Sequence, residues 1–174
     1  GADVTLVSGQ TALTPPMFVK YVQITTAEEM YQEVTSRSDE QDIIIKAAAV
    51  ADYRPVTVAE NKIKKSPGDM SIALERTTDI LAWLGEHRRE GQVLCGFAME
   101  TEHMVEHAKE KLTRKHVDMI AANNVKVAGA GFGTDTNVVT LITEDGVEEL
   151  AKMSKEEVAS RIVDALLRIR GNRE

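Results

Sequence analysis

Short apolar segments alternate along this chain with stretches of helical period, and that alternation restricts the fold more than any single residue does. Val4-Thr5-Leu6-Val7-Ser8-Gly9 reads as a strand running into a loop, and Phe18 to Ile24 as a second strand after the Pro15-Pro16 stop. Thr26 with Glu29 spells a capping box, and Ala27, Met30, Tyr31 and Val34 recur at helical spacing, which predicts a helix with one buried stripe. Asp42 to Val50, with three successive isoleucines, predicts a strand buried on both faces, as in a parallel sheet. Residues 53 to 68 hold Pro55, Pro67, Gly68 and a run of lysines without apolar period, and read as a mobile excursion.

The pattern continues. Met70, Ile72 and Leu74 alternate as in a half-exposed strand, and Thr78 caps a helix carrying Ile80, Leu81, Trp83, Leu84 and His87. Gln92 to Ala98 and Val117 to Ala122 read as strands, separated by a helix from about Glu102 to Lys115 with Met104, Ala108 and Leu112 on one face. Val138 to Leu150 forms a hairpin around Glu144-Asp145-Gly146, and Ser154 with Glu157 caps a last helix whose inner face is Val158, Ile162, Ala165, Leu166 and Ile169. These βα repeats predict a Rossmann-like, doubly wound, mainly parallel α/β sheet with helices on both faces, as one domain over residues 1–174. A Lys-rich flap at about 53–68 and a hairpin extension at about 138–150 complete it. Gly1 reads as a helix-ending glycine leading straight into a strand, so the first βα unit of the fold is expected upstream of it. Ligands of such sheets sit beyond the carboxyl ends of the strands, which places function in the loops after Val50, Ala98 and Ala122.

A chain of 174 residues buries enough surface, roughly 70% of what it exposes unfolded, to need neither disulfide nor metal for its core. One cysteine allows no internal disulfide and fits a reducing, cytoplasmic setting. No apolar run approaches the ~18 residues of a membrane span, and Gly1-Ala2-Asp3 is unlike the start of a signal peptide. With 28 acidic against 21 basic side chains and 4% aromatics, the chain lacks the cation excess and stacking platforms of a nucleic-acid binder.

Several candidate chemistries fail on spacing. Gly129-Ala130-Gly131-Phe132-Gly133 is G-x-G-x-G and precedes a strand, whereas a dinucleotide loop joins a strand to a helix. No phosphate-binding G-x-x-x-x-G-K-[ST] loop occurs. His103 and His107 stand at i, i+4, but Met104 occupies the position of a zincin's glutamate, and a solvated helix face accounts for them. Cys95 sits in an apolar strand without a neighbouring cation and reads as a small hydrophobe.

The lysines carry more. Lys62, Lys64 and Lys65 crowd the excursion, where their mutual repulsion would be relieved by an anion, although a solvated charged loop has the same composition. Lys111 and Lys115, with Lys109 and Arg114, gather cations on the helix after Phe97, and surface decoration explains them equally well. Ala47, Ala48 and Ala49 at the end of a strand let a ligand approach the backbone, and Asp52 sets a carboxylate at the rim. Tight packing explains the alanines but not Asp52.

Ala48-Ala49-Val50-Ala51-Asp52-Tyr53, Lys62-Ile63-Lys64-Lys65, Thr78-Asp79-Ile80, Gly96-Phe97-Ala98-Met99-Glu100-Thr101 and Ala121-Ala122-Asn123-Asn124-Val125 occur in this order. Together, over nearly the whole chain, they resemble phosphopantothenate-cysteine ligase, the synthetase half of the bacterial bifunctional coenzyme A biosynthesis protein. The resemblance implies joining of 4'-phosphopantothenate to L-cysteine, with CTP as the activating nucleotide, an acyl-cytidylate intermediate and Mg²⁺ assisting. It implies that Ala47, Ala48, Ala49 and Asp52 line the nucleotide, that Lys62 is the flap lysine closing over phosphates and acyl group, and that Thr78, Asp79, Ile80, Leu81 and Phe97 surround base and sugar. Lys111 and Lys115 match lysines that hold the triphosphate, and Asn123 matches a substrate contact; no metal ligand is assigned. It further implies a homodimer through the 138–150 hairpin, and fusion to or association with a flavin-dependent decarboxylase domain.

Two departures accompany it. Thr77-Thr78 stands where the family commonly has Asn-Pro, and the family's glycine-rich first loop and Asn-x-Ser-Ser-Gly segment belong upstream of Gly1. Two other functions compete: a nicotinamide-dependent reductase, disfavoured because no G-x-G-x-x-G follows a strand here, and a nucleotide-binding module without catalysis.

Overall fold

The computed structural model describes residues 1–64, 68–100, 103–124 and 135–173. Lys65, Pro67, Thr101, Val125 and the Gly129 to Gly133 cluster lie outside the described residues. In chain order the elements are β1 (Thr5–Ser8), β2 (Lys20–Gln23), α1 (Ala27–Thr35), a 3₁₀ turn (Ser38–Glu40), β3 (Ile43–Lys46), β4 (Tyr53–Pro55), β5 (Leu74–Arg76) and α2 (Ile80–His87). There follow β6 (Val93–Glu100), α3 (Met104–Arg114), β7 (Met119–Asn124), β8 (Thr136–Asn137), β9 (Val139–Thr143), β10 (Val147–Glu149), β11 (Met153–Ser154) and α4 (Lys155–Gly171). They fall into two units, Gly1–Val34 with Ala49–Asp79, and Thr35–Ala48 with Ile80–Glu174.

The larger unit is built on a five-stranded sheet in the order β10-β9-β7-β6-β3. β3, β6 and β7 run parallel, while β9 and β10 turn back antiparallel as the predicted hairpin. β6 and β7 are apolar on both faces because both faces are covered. Val93, Cys95, Met119 and Ala121 on one side pack with Val139 and Leu141 against Val158, Ile162, Ala165 and Leu166 of α4. On the other side Gly96 lets α2 approach, since a Cβ there would fall on the side chain of Leu81 and crowd Ile120. Ala108 of α3 is fully buried, and α3 lies over β6, β7 and β9. Helices thus cover both faces, as the alternation predicts.

The predicted cap of α4 is formed. Glu157 N–H donates to Ser154 Oγ at 3.1 Å, and the Ser154 N–H and hydroxyl each donate to Glu157 Oε2 at 2.8 Å. Those donors hold the Glu157 carboxyl below its ordinary range. At the amino ends of the parallel strands, Asp118 accepts from Leu94 N–H and Arg88, both at 2.8 Å, and from Arg173. Asp42 there holds Arg89 at 2.8 Å and Arg170 at 3.4 Å, and these guanidinium groups, Arg89 foremost, keep its carboxyl below the usual range.

In the smaller unit β1 and β2 pair in parallel, Thr5 opposite Lys20. The capping box of α1 is present, with Glu29 N–H donating to Thr26 Oγ1 at 3.1 Å and Thr25 N–H to Glu29 Oε2 at 2.7 Å. β4 and β5 form an antiparallel ribbon of exposed residues.

Three expectations are corrected. β3 ends at Lys46, short of Val50, and stands at the edge of the five-stranded sheet with Ile45 41% exposed. Isoleucine runs mark β propensity, but burial on both faces needs side chains packed over each face, and β3, an edge strand, is only partly covered. Met70 and Ile72 lie outside β5 and are 68% and 61% exposed, so their alternation with Leu74 marks no half-buried face. β2 starts at Lys20: Phe18 adopts φ +66° and is 97% exposed, so a left-handed turn precedes the strand. Among the described residues no helix is long and apolar enough to cross a membrane.

Gly85 offers a test of the α2 packing. A Cβ there would fall on the Lys115 carbonyl, so Gly85→Ala should destabilise by about 2 kcal/mol or more although Gly to Ala inside a helix ordinarily gains about 1. Urea denaturation checks this, and a stabilised variant would refute the close approach.

Candidate functional site

In the larger unit the carboxyl ends of three parallel strands align by register. Lys46, the last residue of β3, is paired with Gly96, Phe97 with Ala121, and Met99 with Asn123. Ala47 and Ala48 follow Lys46 directly and are exposed, so the backbone leaving β3 is unscreened by side chains. Phe97 is half-buried and rests against the core facing α4. Asn123 is oriented by a residue the sequence reading missed: Asn137 Nδ2 donates to Asn123 Oδ1 at 3.1 Å, and Asn137 Oδ1 in turn accepts from Val138 N–H at 2.9 Å. Asn137 is buried, and its only sequence signal is a short polar side chain just before a strand.

Ile80 and Leu81 open α2, but their side chains are 2% and 3% exposed. They can offer a ligand only backbone groups of the helix start. Both are core residues first.

In the smaller unit Ala49, Asp52, Thr78 and Asp79 are exposed around the point where the β4–β5 arm leaves and returns. That point is closed by Thr77, also missed in the sequence, whose hydroxyl donates to the Ala51 carbonyl at 2.6 Å and whose N–H donates to the Asp52 carbonyl at 3.0 Å. Lys62 and Lys64 lie beyond the ribbon, both exposed. The structure therefore gathers Ala49, Asp52, Thr78 and Asp79 at one neck, with Lys62 further along the same arm.

Lys111 and Lys115 are placed differently. Lys111 is in the last turn of α3, and Lys115 is its C-cap, donating its N–H to the Lys111 carbonyl. The chain then enters β7 through Asp118, whose N–H donates to Leu94 O near the start of β6. Both lysines therefore lie toward the amino ends of β6 and β7, and within this unit they do not join Ala47, Ala48 and Asn123 at the carboxyl edge.

The other sequence candidates stay outside the site. His103 and His107 are exposed, with His103 Nδ1 2.8 Å from Glu106. Among the described residues no group of three His, Cys, Asp or Glu side chains could hold a metal ion.

The family model described as the DNA/pantothenate metabolism flavoprotein C-terminal domain matches residues 1–169. The coenzyme A biosynthesis bifunctional protein CoaBC of Bacillus subtilis is 45% identical over 168 residues, which is 95% of this chain and 41% of that protein. A cysteine/cysteine sulfinic acid decarboxylase from an unknown prokaryotic organism is 41% identical over 169 residues, 96% of this chain and 47% of the relative. The chain thus spans less than half the length of these curated relatives. Among solved structures, the C-terminal domain of a CoaBC protein superposes with a TM-score of 0.82 at 44% identity, covering 99% of this chain and 78% of that one. A Cab2 mutant in complex with phosphopantothenate-cysteine shares the fold, with a TM-score of 0.69 at 16% identity over 89% of this chain and 54% of that one.

Cys95 is fully buried in β6, and burial pushes its thiol up to about 12. A neutral buried thiol is no nucleophile. Its reaction with a disulfide reagent at pH 8 should therefore be slower in the native protein than in urea by ~10² or more, since only the thiolate reacts. Comparable rates in both states would place Cys95 at an accessible surface.

Proposed function

The chain belongs to the DNA/pantothenate metabolism flavoprotein C-terminal domain family, and on that premise we propose that it ligates 4'-phosphopantothenate to L-cysteine with CTP as the activating nucleotide. The observation that carries the reading is the carboxyl edge of β3, β6 and β7, where exposed Ala47 and Ala48 follow the Lys46–Gly96 pair, Phe97 pairs with Ala121, and Asn137 fixes the Asn123 amide two residues further on. Small residues admit a nucleotide to the backbone, and a fixed amide suits an amide-bearing substrate. The CoaBC relatives and the phosphopantothenate-cysteine bound to Cab2 support the same substrate class.

On this reading the phosphopantothenate carboxylate attacks the α-phosphorus of CTP and pyrophosphate leaves. The cysteine amine then attacks the acyl carbon of the acyl-cytidylate, CMP leaves with the bonding electrons, and the amine loses a proton. Neither step needs a protein nucleophile, which agrees with the buried Cys95. The protein's task is to neutralise charge on phosphate oxygens, and Lys62 on the arm supplies a mobile ammonium for it. Asp52, Ala49 and Thr78 to Leu81 contact the nucleotide in this assignment, Ile80 and Leu81 through their backbone. Mg²⁺ would enter with the triphosphate and supply charge neutralisation on its oxygens, held mostly by the substrate phosphates.

The remaining parts of the proposal concern the whole protein. A decarboxylase domain accompanies the ligase, in keeping with the bifunctional and decarboxylase relatives, and the enzyme works in the cytoplasm. A second copy docks through the 138–150 hairpin. There β10 is the free edge of the sheet, with Val147 41% exposed, whereas the β9 side chains from Val139 to Ile142 are buried in their own unit.

Release of CMP in the presence of phosphopantothenate, cysteine and each nucleotide in turn tests the reaction, and its absence with all nucleotides would refute it. Lys62→Ala in the full-length enzyme is expected to cut amide formation by ~10² or more with an unchanged melting temperature; normal turnover would remove Lys62 from the mechanism. The family assignment also gives Lys111 and Lys115 to the triphosphate, although they lie at the other end of this unit. Changing both to Gln should weaken CTP more than CMP if that assignment holds, and equal losses would leave them a structural role.

A further inference from the structure

The β4–β5 arm has no core of its own. Every residue from Ala51 to Arg76 that the structure describes is exposed. Tyr53 pairs with Arg76, Arg54 with Glu75 and Pro55 with Leu74, after which Val56 N–H donates to Ala73 O at 3.0 Å. An isolated two-stranded ribbon is marginal in water, so its alignment has to come from side-chain ties. Three are present. Arg54 Nε bonds Glu75 Oε1 at 2.8 Å and reaches Glu28 of α1 at 3.8 Å. The Arg76 guanidinium lies 5.0 Å from the centroid of the Tyr53 ring. At the closed end, Thr77 bonds two successive carbonyls, Ala51 through its hydroxyl at 2.6 Å and Asp52 through its N–H at 3.0 Å.

Thr77 differs from the other two ties in what it joins. Its partners are the residue before Asp52 and Asp52 itself, and its own successor is Thr78, so one residue, through its hydroxyl and its N–H, fixes the spacing of the two flanks of the neck. We infer that Thr77 is a positioning residue, setting through the Ala51 carbonyl the placement of Asp52 and Thr78 for the nucleotide. The inference rests on the proposed assignment of Asp52 and Thr78 to that nucleotide. Its physical part, that the Thr77 hydroxyl holds the neck closed, stands apart from any activity. A hydroxyl at this position also gives the Thr77-Thr78 pair, which departs from the Asn-Pro common in the family, a reason in this chain: Thr77 spans the neck with a short side chain that donates to a carbonyl across it.

The test uses the full-length protein with Thr77→Val, which keeps the shape and removes the hydroxyl, and Thr77→Ser, which keeps the hydroxyl. Trypsin cleavage after Arg76, the residue that precedes Thr77 at the closed end of the ribbon, followed by mass spectrometry, reads the neck directly. The valine variant should be cut about three- to tenfold faster, the range for loss of one net hydrogen bond, with the serine variant at the wild-type rate and all three melting together. In the ligation assay the valine variant should raise the KM for CTP by a similar factor, and serine should restore it. Equal cleavage of valine variant and wild type would overturn the neck. Faster cleavage with an unchanged KM for CTP would overturn the positioning role. Faster cleavage in a protein whose wild type ligates with no nucleotide would support the neck and refute the ligase reading instead.

Discussion

Burial of β6 and β7 on both faces is the constraint on which the larger unit depends. With α4 on one side and α2 and α3 on the other, Val93, Leu94, Cys95, Met119, Ile120, Ala121 and Ala122 are wholly removed from water. A polar side chain in those strands would have to be desolvated without a partner, at a cost of a few kcal/mol. Polar groups are therefore driven to the strand ends, and the two ends solve the problem differently. At the amino ends Asp118 satisfies Leu94 N–H, Arg88 and Arg173 at once. At the carboxyl ends Asn123 is matched by Asn137 alone, and β3 runs out into exposed alanines. Among the described residues, charged side chains gather at the amino edge, while the carboxyl edge presents amides and small side chains.

The arm obeys the opposite rule. It leaves its apolar side chains exposed, so its order comes from an ion pair, a cation over a ring and the Thr77 hydrogen bonds. Such contacts are individually weak and solvent-screened, which suits an element that has to hold its base while its outer loop carries Lys62. Rigidity from a core would have fixed the whole arm. Polar ties at one end fix only that end.

Much of this was legible in the residues and some was not. The two capping boxes, at Thr26 and Ser154, were readable because they are local: partner and cap lie three residues apart. The central strands and the inner face of α4 were readable because periodicity reports burial directly. The extent of β3 was not, since the isoleucines report β propensity but not which strands flank them. The roles of Thr77, noted only as a departure from the family, and of Asn137 were invisible for a related reason. Each acts on a residue distant in sequence, Ala51 and Asn123, and neither belongs to a spacing pattern. Lys111 and Lys115 show the converse limit, for their i, i+4 spacing was read correctly but the end of the sheet they face is a matter of chain direction through α3.

On the proposed reading, the distribution of cations bears on how an acidic chain serves a polyanionic substrate. A formal charge of −7 describes the average, but the arginines are largely matched already: Arg88 and Arg173 to Asp118, Arg89 and Arg170 to Asp42, Arg54 to Glu75, and Arg161 to Glu148. Planar guanidinium groups suit such fixed carboxylate pairs, whereas an ammonium on a flexible stem can follow charge as it moves from one oxygen to another. Lys62 and Lys64 form no ion pair among the described residues and stand on an element without a core. Lys62 and Lys64 thus offer ammonium groups held in no ion pair among the described residues, on an arm that is less acidic than the chain as a whole. On the proposed reading, the same asymmetry that leaves the net charge negative directs the triphosphate toward the arm.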